Sequence, residues 1–395
     1  MVMKRKKKKK QLAILPLIRY SQFTDSAEGD INAVLTSVDT VVFTVNLAML
    51  DISGLYPPIP TPFKADGSVD YAHLESNVRA ASQRAARFTL ATGVARRRLA
   101  LTLLPCEATF HLTRTCLLPH CSQIKKWGDY ALAGLVVQGS NGESVLMSEQ
   151  ERVDIIRCAR RAMGPSRILI AGSGQEGTIQ TIKMTQAMAA AGADVALVVA
   201  PGYFNAKTDA LIAHYNAVAD ASPIPILVYN MPACTGIDMG PDVLVPCSYH
   251  PNIIGMKDSG GNVAKLTGVI HATRKLGNEF QVLAGSASFL LPMLMLGGVG
   301  GVCALANVAP QQLLHMMSLF KKGDIEGAAA IQRAMVKPNS AITKMFGVPG
   351  LKATLAAQGF YGGPVRQPLM ELTAAKKKAL FAILAEEGVL PKSRL

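Results

Sequence analysis

From residue 52 onward, short β-rich apolar runs alternate with longer stretches of helical spacing, and this alternation limits the possible folds more than any other feature. Strict alternation specifies parallel strands joined by right-handed helical crossovers, and eight units close a barrel. We therefore predict an α/β fold, a (β/α)8 TIM barrel, with an open doubly wound sheet as its rival. The eight predicted strands cover 52–59, 133–138, 167–171, 195–199, 224–229, 253–257, 280–284 and 301–304.

The same pattern divides the chain into regions. The barrel is expected over 51–320 and a C-terminal helical region over 321–395, while 1–50 form an N-terminal extension that we expect to be disordered. Residues 80–125 interrupt the barrel, because a helix-to-strand connection usually needs only about two to six residues. Joining Arg79 directly to Lys126 restores an ordinary unit, so 80–125 are interpreted as an atypical insertion.

Net charge is +14 over 395 residues, but its distribution argues against a nucleic-acid enzyme. Seven Lys or Arg lie in residues 1–10, and a basic run at a terminus is typical of a solvated tail or a targeting address. No stretch approaches the roughly 20 apolar residues of a membrane helix. We therefore expect neither a nucleic-acid partner nor a membrane partner.

Cysteine spacing bears on the compartment. The seven cysteines form no CxxC pair and suggest neither a zinc ribbon nor a disulfide framework. A reducing compartment, cytoplasmic or mitochondrial, is the expectation that follows.

Gly172, Gly174 and Gly177 spell G-x-G-x-x-G between a strand and a helix, the phosphate-binding pattern of dinucleotide folds. That pattern also needs an acidic residue at the end of the following strand, whereas Asp194 precedes the predicted strand 195–199. The glycines are therefore interpreted as a turn that lets the helix pack closely, and no cofactor is expected.

Barrel enzymes carry their chemistry where the strands end. The sixth strand ends at Lys257, where burial would leave neutral amine available as a nucleophile; a structural lysine that pairs with a carboxylate is the alternative. The fifth strand ends at Tyr229, whose phenol can move protons to and from oxygen beside that amine. Ordinary aromatic packing is the alternative for Tyr229.

Two further strand ends carry small polar groups. The second strand runs into Ser140, Asn141 and Gly142, a turn whose N–H groups could hold a carboxylate while Ser140 passes a proton toward Tyr229. The seventh strand ends at Gly285 and Ser286. Because the sequence offers neither an H-x-H pair nor a His/Asp cluster for a metal, it favours an imine mechanism over a metal-stabilised enolate.

With these residues assembled, the chain resembles the dihydrodipicolinate synthase and N-acetylneuraminate lyase family over nearly all of 52–391 except 80–125, and within it the 4-hydroxy-2-oxoglutarate aldolases. The matching runs are VVQGSNGE at 136–143, HPNIIGMKDSGG at 250–261, VLAGSA at 282–287, GGVCALANV at 300–308 and YGGP at 361–364.

This resemblance implies Lys257 as the Schiff-base lysine, Tyr229 as the proton-transfer phenol, and Ser140 and Asn141 as the carboxylate-binding and relay pair. Family members are commonly tetramers in which a second tyrosine reaches a neighbouring subunit's site, and Tyr203 matches that place. A homo-oligomer, tetramer or dimer, is therefore expected. The family's synthases also carry an arginine shortly after the strand-five proline, where this chain has Cys234.

The resulting expectation is a class I aldolase that cleaves 4-hydroxy-2-oxoglutarate to pyruvate and glyoxylate. One alternative is another pyruvate-dependent member, either a 2-keto-3-deoxy sugar acid aldolase or 4-hydroxy-tetrahydrodipicolinate synthase, which uses aspartate semialdehyde. A catalytically inactive binding protein with the family fold is the alternative from a different class.

Overall fold

The computed structural model describes residues 49–82, 132–277 and 279–394. In this part of the chain, eight parallel strands form one sheet in the order β1-β8-β7-β6-β5-β4-β3-β2. A bridge between Pro58 and Val136 brings the segment after β1 beside β2, so the sheet curves into a nearly closed barrel. The predicted TIM barrel is confirmed. Its strands are β1 (Gly54–Tyr56), β2 (Gly134–Val137), β3 (Ile168–Gly172), β4 (Val195–Val199), β5 (Ile226–Asn230), β6 (Ile253–Asp258), β7 (Gln281–Ala284) and β8 (Gly300–Val302).

Helices surround the sheet. Two short helices after β5, Pro232–Thr235 and Pro241–Cys247, begin with proline, whose fixed φ suits the first turn of a helix. The helices are α1 (Tyr71–Ser82), α2 (Glu149–Met163), α3 (Thr178–Ala190), α4 (Thr208–Ala221), α5 (Pro232–Thr235), α6 (Pro241–Cys247), α7 (Val263–Lys275), α8 (Leu290–Met295), α9 (Pro310–Lys321), α10 (Ile325–Ser340), α11 (Gly347–Ala357) and α12 (Ala374–Glu386). None of the helices described has the length and apolarity needed to cross a membrane.

The C-terminal helical region departs from its prediction at one place. The sequence pattern predicts a helical stretch over 325–335, but α10 continues to Ser340 with Pro338 inside it, and a π-helical turn over Ala341–Met345 follows. The sequence alone did not show that packing would carry the helix past a proline.

The expected insertion at 80–125 lies mainly outside the described residues. Helix α1 extends to Ser82, slightly beyond the expected boundary at residue 80, and 83–125 are not described. Most of the expected N-terminal extension, residues 1–48, also lies outside the described part.

Two apolar clusters hold the barrel together. One fills the space between the strands and the surrounding helices, and the other fills the barrel interior. The interior cluster includes Tyr56, Val136, Ile170, Leu227 and Tyr229. A phenol at the end of β5 therefore faces the interior of the barrel, at the end where TIM barrels carry their sites.

The G-x-G-x-x-G run is a packing feature. A Cβ on Gly172 would lie 2.0 Å from the carbonyl oxygen of Gln138, and one on Gly174 would lie 2.8 Å from the Val199 backbone nitrogen. Asp194 lies before β4 and accepts a hydrogen bond from the Leu169 N–H. Gly172 and Gly174 therefore allow close backbone approach at the ends of neighbouring strands, whereas the sequence predicted close packing of the following helix.

Candidate active site

Tyr229 and Lys257 are direct partners in the pairing of β5 with β6. Each side chain is only 4% exposed, and Lys257 Nζ lies 3.9 Å from the centroid of the Tyr229 ring. The two residues that the sequence singled out thus form a buried amine–phenol pair. An amine in this position can attack a carbonyl carbon, and the phenol can exchange protons with an oxygen beside it.

A register shift in β6 aims Lys257 into the barrel. Ile226 pairs with Ile253 but Leu227 pairs with Gly255, so β6 contains one extra residue, Ile254. Ile254 belongs to the interior cluster. Side chains of a regular strand alternate between its two faces, so Lys257, three residues after the inward-facing Ile254, would face outward. Because the extra residue breaks this alternation, Lys257 faces the barrel interior.

The surroundings of Tyr229 favour its ionised form. Burial raises the pKa of Tyr229, but the Lys257 charge and hydrogen bonds from Ser140, Ser259 and Lys257 outweigh burial and lower the pKa below its usual value. Ser140 Oγ lies 3.4 Å from the Tyr229 hydroxyl. The phenol therefore ionises at a lower pH than a free tyrosine, and its ionised form can accept a proton.

Ser140, Asn141 and Gly142 form a 3₁₀ turn that begins three residues after Val137, the last residue of β2. The turn is anchored to the protein by Thr61, whose hydroxyl donates to the Gly142 carbonyl at 2.7 Å. Ser140 is exposed, Asn141 is half-buried and Gly142 is buried. The Ser140 hydroxyl of this turn therefore lies beside the phenol of the amine–phenol pair.

Gly285 and Ser286 close the other side of the pair. The Gly285 N–H donates to the Asp258 carbonyl at 2.6 Å, and a Cβ on Gly285 would lie 2.2 Å from Ser259 Oγ. Ser286 Oγ accepts a 2.9 Å hydrogen bond from Asn339 of α10. The end of β7 therefore depends on the C-terminal helical region as well as on β6.

Sequence reasoning missed Ser259. Its hydroxyl takes part in a hydrogen bond to Tyr229 and lies next to Gly285. The signal was available, because Ser259 directly follows the end of β6, in the same kind of position as Ser286 after β7.

Tyr203 lies apart from the buried pair within one chain. Its side chain is 83% exposed in the turn after β4, and its ring contacts Phe204 edge to face. The Tyr203 N–H donates to the carboxylate of Glu176 at 2.9 Å, which holds the turn. Within this chain, the exposed Tyr203 side chain therefore does not join the buried site of Lys257.

Cys234 lies on the short helix α5 that follows β5, and it is exposed. Partial burial raises the pKa of its thiol, while the charge of Lys257 acts in the opposite direction. Cys234 therefore lies close enough to Lys257 for the lysine charge to affect the pKa of its thiol.

Within the described residues, no three His, Cys, Asp or Glu side chains are grouped so that they could hold a metal ion.

Comparison with known proteins identifies the family. Residues 124–387 match the profile of the dihydrodipicolinate synthetase family. The chain belongs to this family. Its members and their aldolase relatives make or break carbon–carbon bonds, so this dihydrodipicolinate synthetase family protein is a carbon–carbon lyase.

Two curated relatives illustrate the range of activities within the family. One, from Emericella nidulans, is named probable 4-hydroxy-2-oxoglutarate aldolase, mitochondrial; it is 36% identical over 274 residues, which cover 68% of this chain and 86% of the relative. Another, a 4-hydroxy-tetrahydrodipicolinate synthase from Listeria monocytogenes, is 35% identical over 255 residues, 64% of this chain and 85% of the relative. Identity alone does not separate the two activities.

Solved structures of the family share the fold. YagE, a prophage protein of the dihydrodipicolinic acid synthase family from E. coli K12 in complex with pyruvate, superposes with a TM-score of 0.69 at 25% identity, covering 86% of this chain and 99% of that chain. The Cyanidioschyzon merolae enzyme with lysine bound gives a TM-score of 0.70 at 25% identity, with the same coverage.

Proposed function

We propose that this protein cleaves 4-hydroxy-2-oxoglutarate to pyruvate and glyoxylate through an imine on Lys257. The buried contact between the Lys257 amine and the Tyr229 ring, 3.9 Å from nitrogen to ring centroid, is the observation that carries the proposal. An aldol cleavage through an imine needs a nucleophilic amine and a nearby proton acceptor, and this contact supplies both.

In the proposed reaction, the Lys257 amine attacks the C2 carbonyl and water leaves, which gives an iminium. Tyr229 accepts the proton of the 4-hydroxyl group while the C3–C4 bond breaks. The electron pair of that bond moves into the iminium and gives the enamine of pyruvate, and glyoxylate departs. Protonation at C3 and addition of water then release pyruvate and regenerate the amine.

The carboxylate beside the 2-oxo group is assigned to the turn of Ser140, Asn141 and Gly142, with Gly285 and Ser286 on the opposite rim. These assignments are supported by the place of both segments at the ends of β2 and β7, around the buried pair. Ser140 is also assigned the proton relay, on the basis of its 3.4 Å distance to the Tyr229 hydroxyl.

Cys234 disfavours the synthase reaction as an alternative to cleavage of 4-hydroxy-2-oxoglutarate. Resemblance to the synthases places their substrate-binding arginine at this position, and a neutral thiol there does not provide a cation for the carboxylate of the second substrate, aspartate semialdehyde. The Emericella nidulans relative, named as a probable 4-hydroxy-2-oxoglutarate aldolase, supports 4-hydroxy-2-oxoglutarate as the substrate.

A substrate panel tests the proposal. The purified full chain is assayed for cleavage of 4-hydroxy-2-oxoglutarate and of a 2-keto-3-deoxy sugar acid, and for condensation of pyruvate with aspartate semialdehyde. We expect kcat/KM to be highest for 4-hydroxy-2-oxoglutarate. Faster condensation with aspartate semialdehyde would make the protein a synthase, and no turnover of any panel member would support an inactive binding protein.

We also propose that the active form is a homo-oligomer, a tetramer or dimer, in which Tyr203 serves a neighbouring site. Large apolar side chains are exposed after β2 and β4, namely Val145 at 89%, Tyr203 at 83% and Phe204 at 87%. Exposed apolar groups at one end of a barrel favour association. Sedimentation analysis should show an oligomer that Phe204→Asp dissociates, and a monomeric wild-type protein would contradict this proposal.

A further inference from the structure

We propose that the buried ion pair between Glu143 and Lys352 positions the Ser140–Gly142 turn for the substrate carboxylate. This inference rests on the proposed function, because that function assigns the carboxylate to the turn. It makes the C-terminal helical region, which the sequence placed outside the barrel, part of the machinery that binds substrate.

Glu143 ends the turn in a constrained backbone conformation. Its φ of 57° and ψ of 33° lie in the left-handed region, which a residue with a side chain rarely adopts. Its N–H donates to the Ser140 carbonyl at 3.1 Å and closes the turn. Such a conformation persists only when the surroundings hold it, so the anchor of Glu143 sets the shape of the turn.

Lys352 of α11 provides that anchor. Its Nζ lies 2.5 Å from Glu143 Oε1, and both side chains are almost completely buried. The other carboxylate oxygen accepts the Arg366 N–H at 2.8 Å, and Lys352 Nζ also donates to the Pro364 carbonyl at 2.7 Å. Each charge in this interior therefore has partners, and removal of either residue would leave the other charge uncompensated.

The YGGP run singled out in the sequence fits around this anchor. A Cβ on Gly362 would lie 2.1 Å from the Lys352 carbonyl oxygen, so a glycine is required where the chain crosses α11. Beyond the run, the Arg366 guanidinium donates to the Leu146 carbonyl at 2.9 Å. The segment that holds Lys352 in place therefore also binds the chain on the far side of Glu143.

The consequence for substrate follows from Ser140. Its hydroxyl lies 3.4 Å from the Tyr229 hydroxyl, and it belongs to the turn that Glu143 closes. If Glu143 moves, both the N–H groups of the turn and the Ser140 hydroxyl move with it. Loss of the pair should thus weaken carboxylate binding and raise the pKa of Tyr229 together, whereas a purely structural pair would lower stability alone.

Full-length Lys352→Met, Glu143→Gln and the double variant test this. The pyruvate concentration that gives half-maximal borohydride trapping should rise tenfold or more in each variant. The rising limb of the pH–kcat profile should also move to higher pH, because the pKa of Tyr229 rises. Maximal trapping at saturating pyruvate should persist, because Lys257 is intact. The control is Lys337→Met, which removes an exposed ion pair with Glu386 in the same helical region and should change neither value.

The remaining outcomes distinguish failure of this inference from failure of the proposed function. A folded variant with wild-type pyruvate saturation and an unshifted pH profile would overturn the inference. If a single variant does not fold, the double variant decides, because it leaves no uncompensated charge; failure of all three to fold would make the pair a stability element only and would also overturn it. If the wild-type protein itself traps no pyruvate, it is the proposed function that fails.

Discussion

Asn230 donates a 2.7 Å hydrogen bond from Nδ2 to Asp258 Oδ2, one residue beyond Tyr229 and Lys257 on the same two strands. Both side chains are fully buried. Asp258 also accepts the Gly261 N–H at 2.9 Å and lies 3.5 Å from Lys265 Nζ. This network joins the ends of β5 and β6, which carry the phenol and the amine. It therefore fixes the positions of these two groups along the barrel axis relative to each other.

Replacement of Asp258 by Asn should therefore reduce both stability and turnover. The NH₂ group of the new amide would face the N–H donors of Asn230 and Lys265, where the carboxylate oxygen had accepted. This loss of a buried acceptor should lower the free energy of unfolding by roughly 3 kcal/mol. Loosening of the strand ends should lower kcat by roughly tenfold or more. Denaturant unfolding and steady-state kinetics measure the two effects. Asp220→Asn, at an exposed carboxylate paired with His250, is the control and should change little.

Lys257 should be the residue that pyruvate labels. Borohydride added with pyruvate should leave a pyruvate-derived mass on the peptide that contains Lys257, because its amine is buried against Tyr229 at the end of β6. Mass spectrometry of the digested protein measures the site, and Lys257→Met should abolish labelling. Stable labelling of another lysine, with Lys257 unmodified, would rule out the imine assignment.

Tyr229→Phe should separate imine formation from bond cleavage. The variant keeps the ring against Lys257 but removes the hydroxyl, so kcat should fall by a factor on the order of 10² to 10⁴. Pyruvate should still be trapped on Lys257. Tyr215→Phe is a matched control, since Tyr215 is also fully buried and its hydroxyl lies 3.4 Å from the Val198 carbonyl. Near-normal turnover of Tyr229→Phe would show that the hydroxyl does not transfer the proton and that Tyr229 contributes only by packing.

Much of the barrel and the central pair could be predicted from the sequence. Parallel strands buried on both faces appear as apolar runs, so the predicted ends at residues 229 and 257 differ from the observed ends, Asn230 and Asp258, by one residue. Because consecutive strands of a (β/α)8 barrel are neighbours, the fifth and sixth strands were expected to bring Tyr229 and Lys257 side by side. Those features depend on local pattern and topology, which the sequence displays directly.

The features that complete the site depend on contacts between distant parts of the chain. The extra residue at Ile254, which aims Lys257 inward, is set by pairing with β5 and has no local signature. The pairing of Glu143 with Lys352 is equally hidden, because each alone resembles an ordinary charged residue. The sequence pattern therefore predicts the amine and the phenol of the central pair but not the interactions that hold these two side chains in position.

Ser140→Ala should shift the pH dependence of catalysis. The Ser140 hydrogen bond is one of the interactions that lower the pKa of Tyr229, so its removal should raise that pKa. Tyr229 must be ionised to accept the 4-hydroxyl proton, and a higher pKa means that this form appears at higher pH. The rising limb of the pH–kcat profile should therefore move toward alkaline pH, with a higher KM because the carboxylate loses a partner.

Steady-state kinetics across the pH range measure this shift, with Ser148→Ala as the control. Ser148 caps α2 through a hydrogen bond with Glu151, so its loss should cost roughly 1 kcal/mol of stability while leaving the limb in place. Both variants lose a serine hydroxyl from the same segment, but only Ser140 contacts the phenol. An unmoved limb in Ser140→Ala, with turnover otherwise normal, would show that Ser140 does not tune Tyr229.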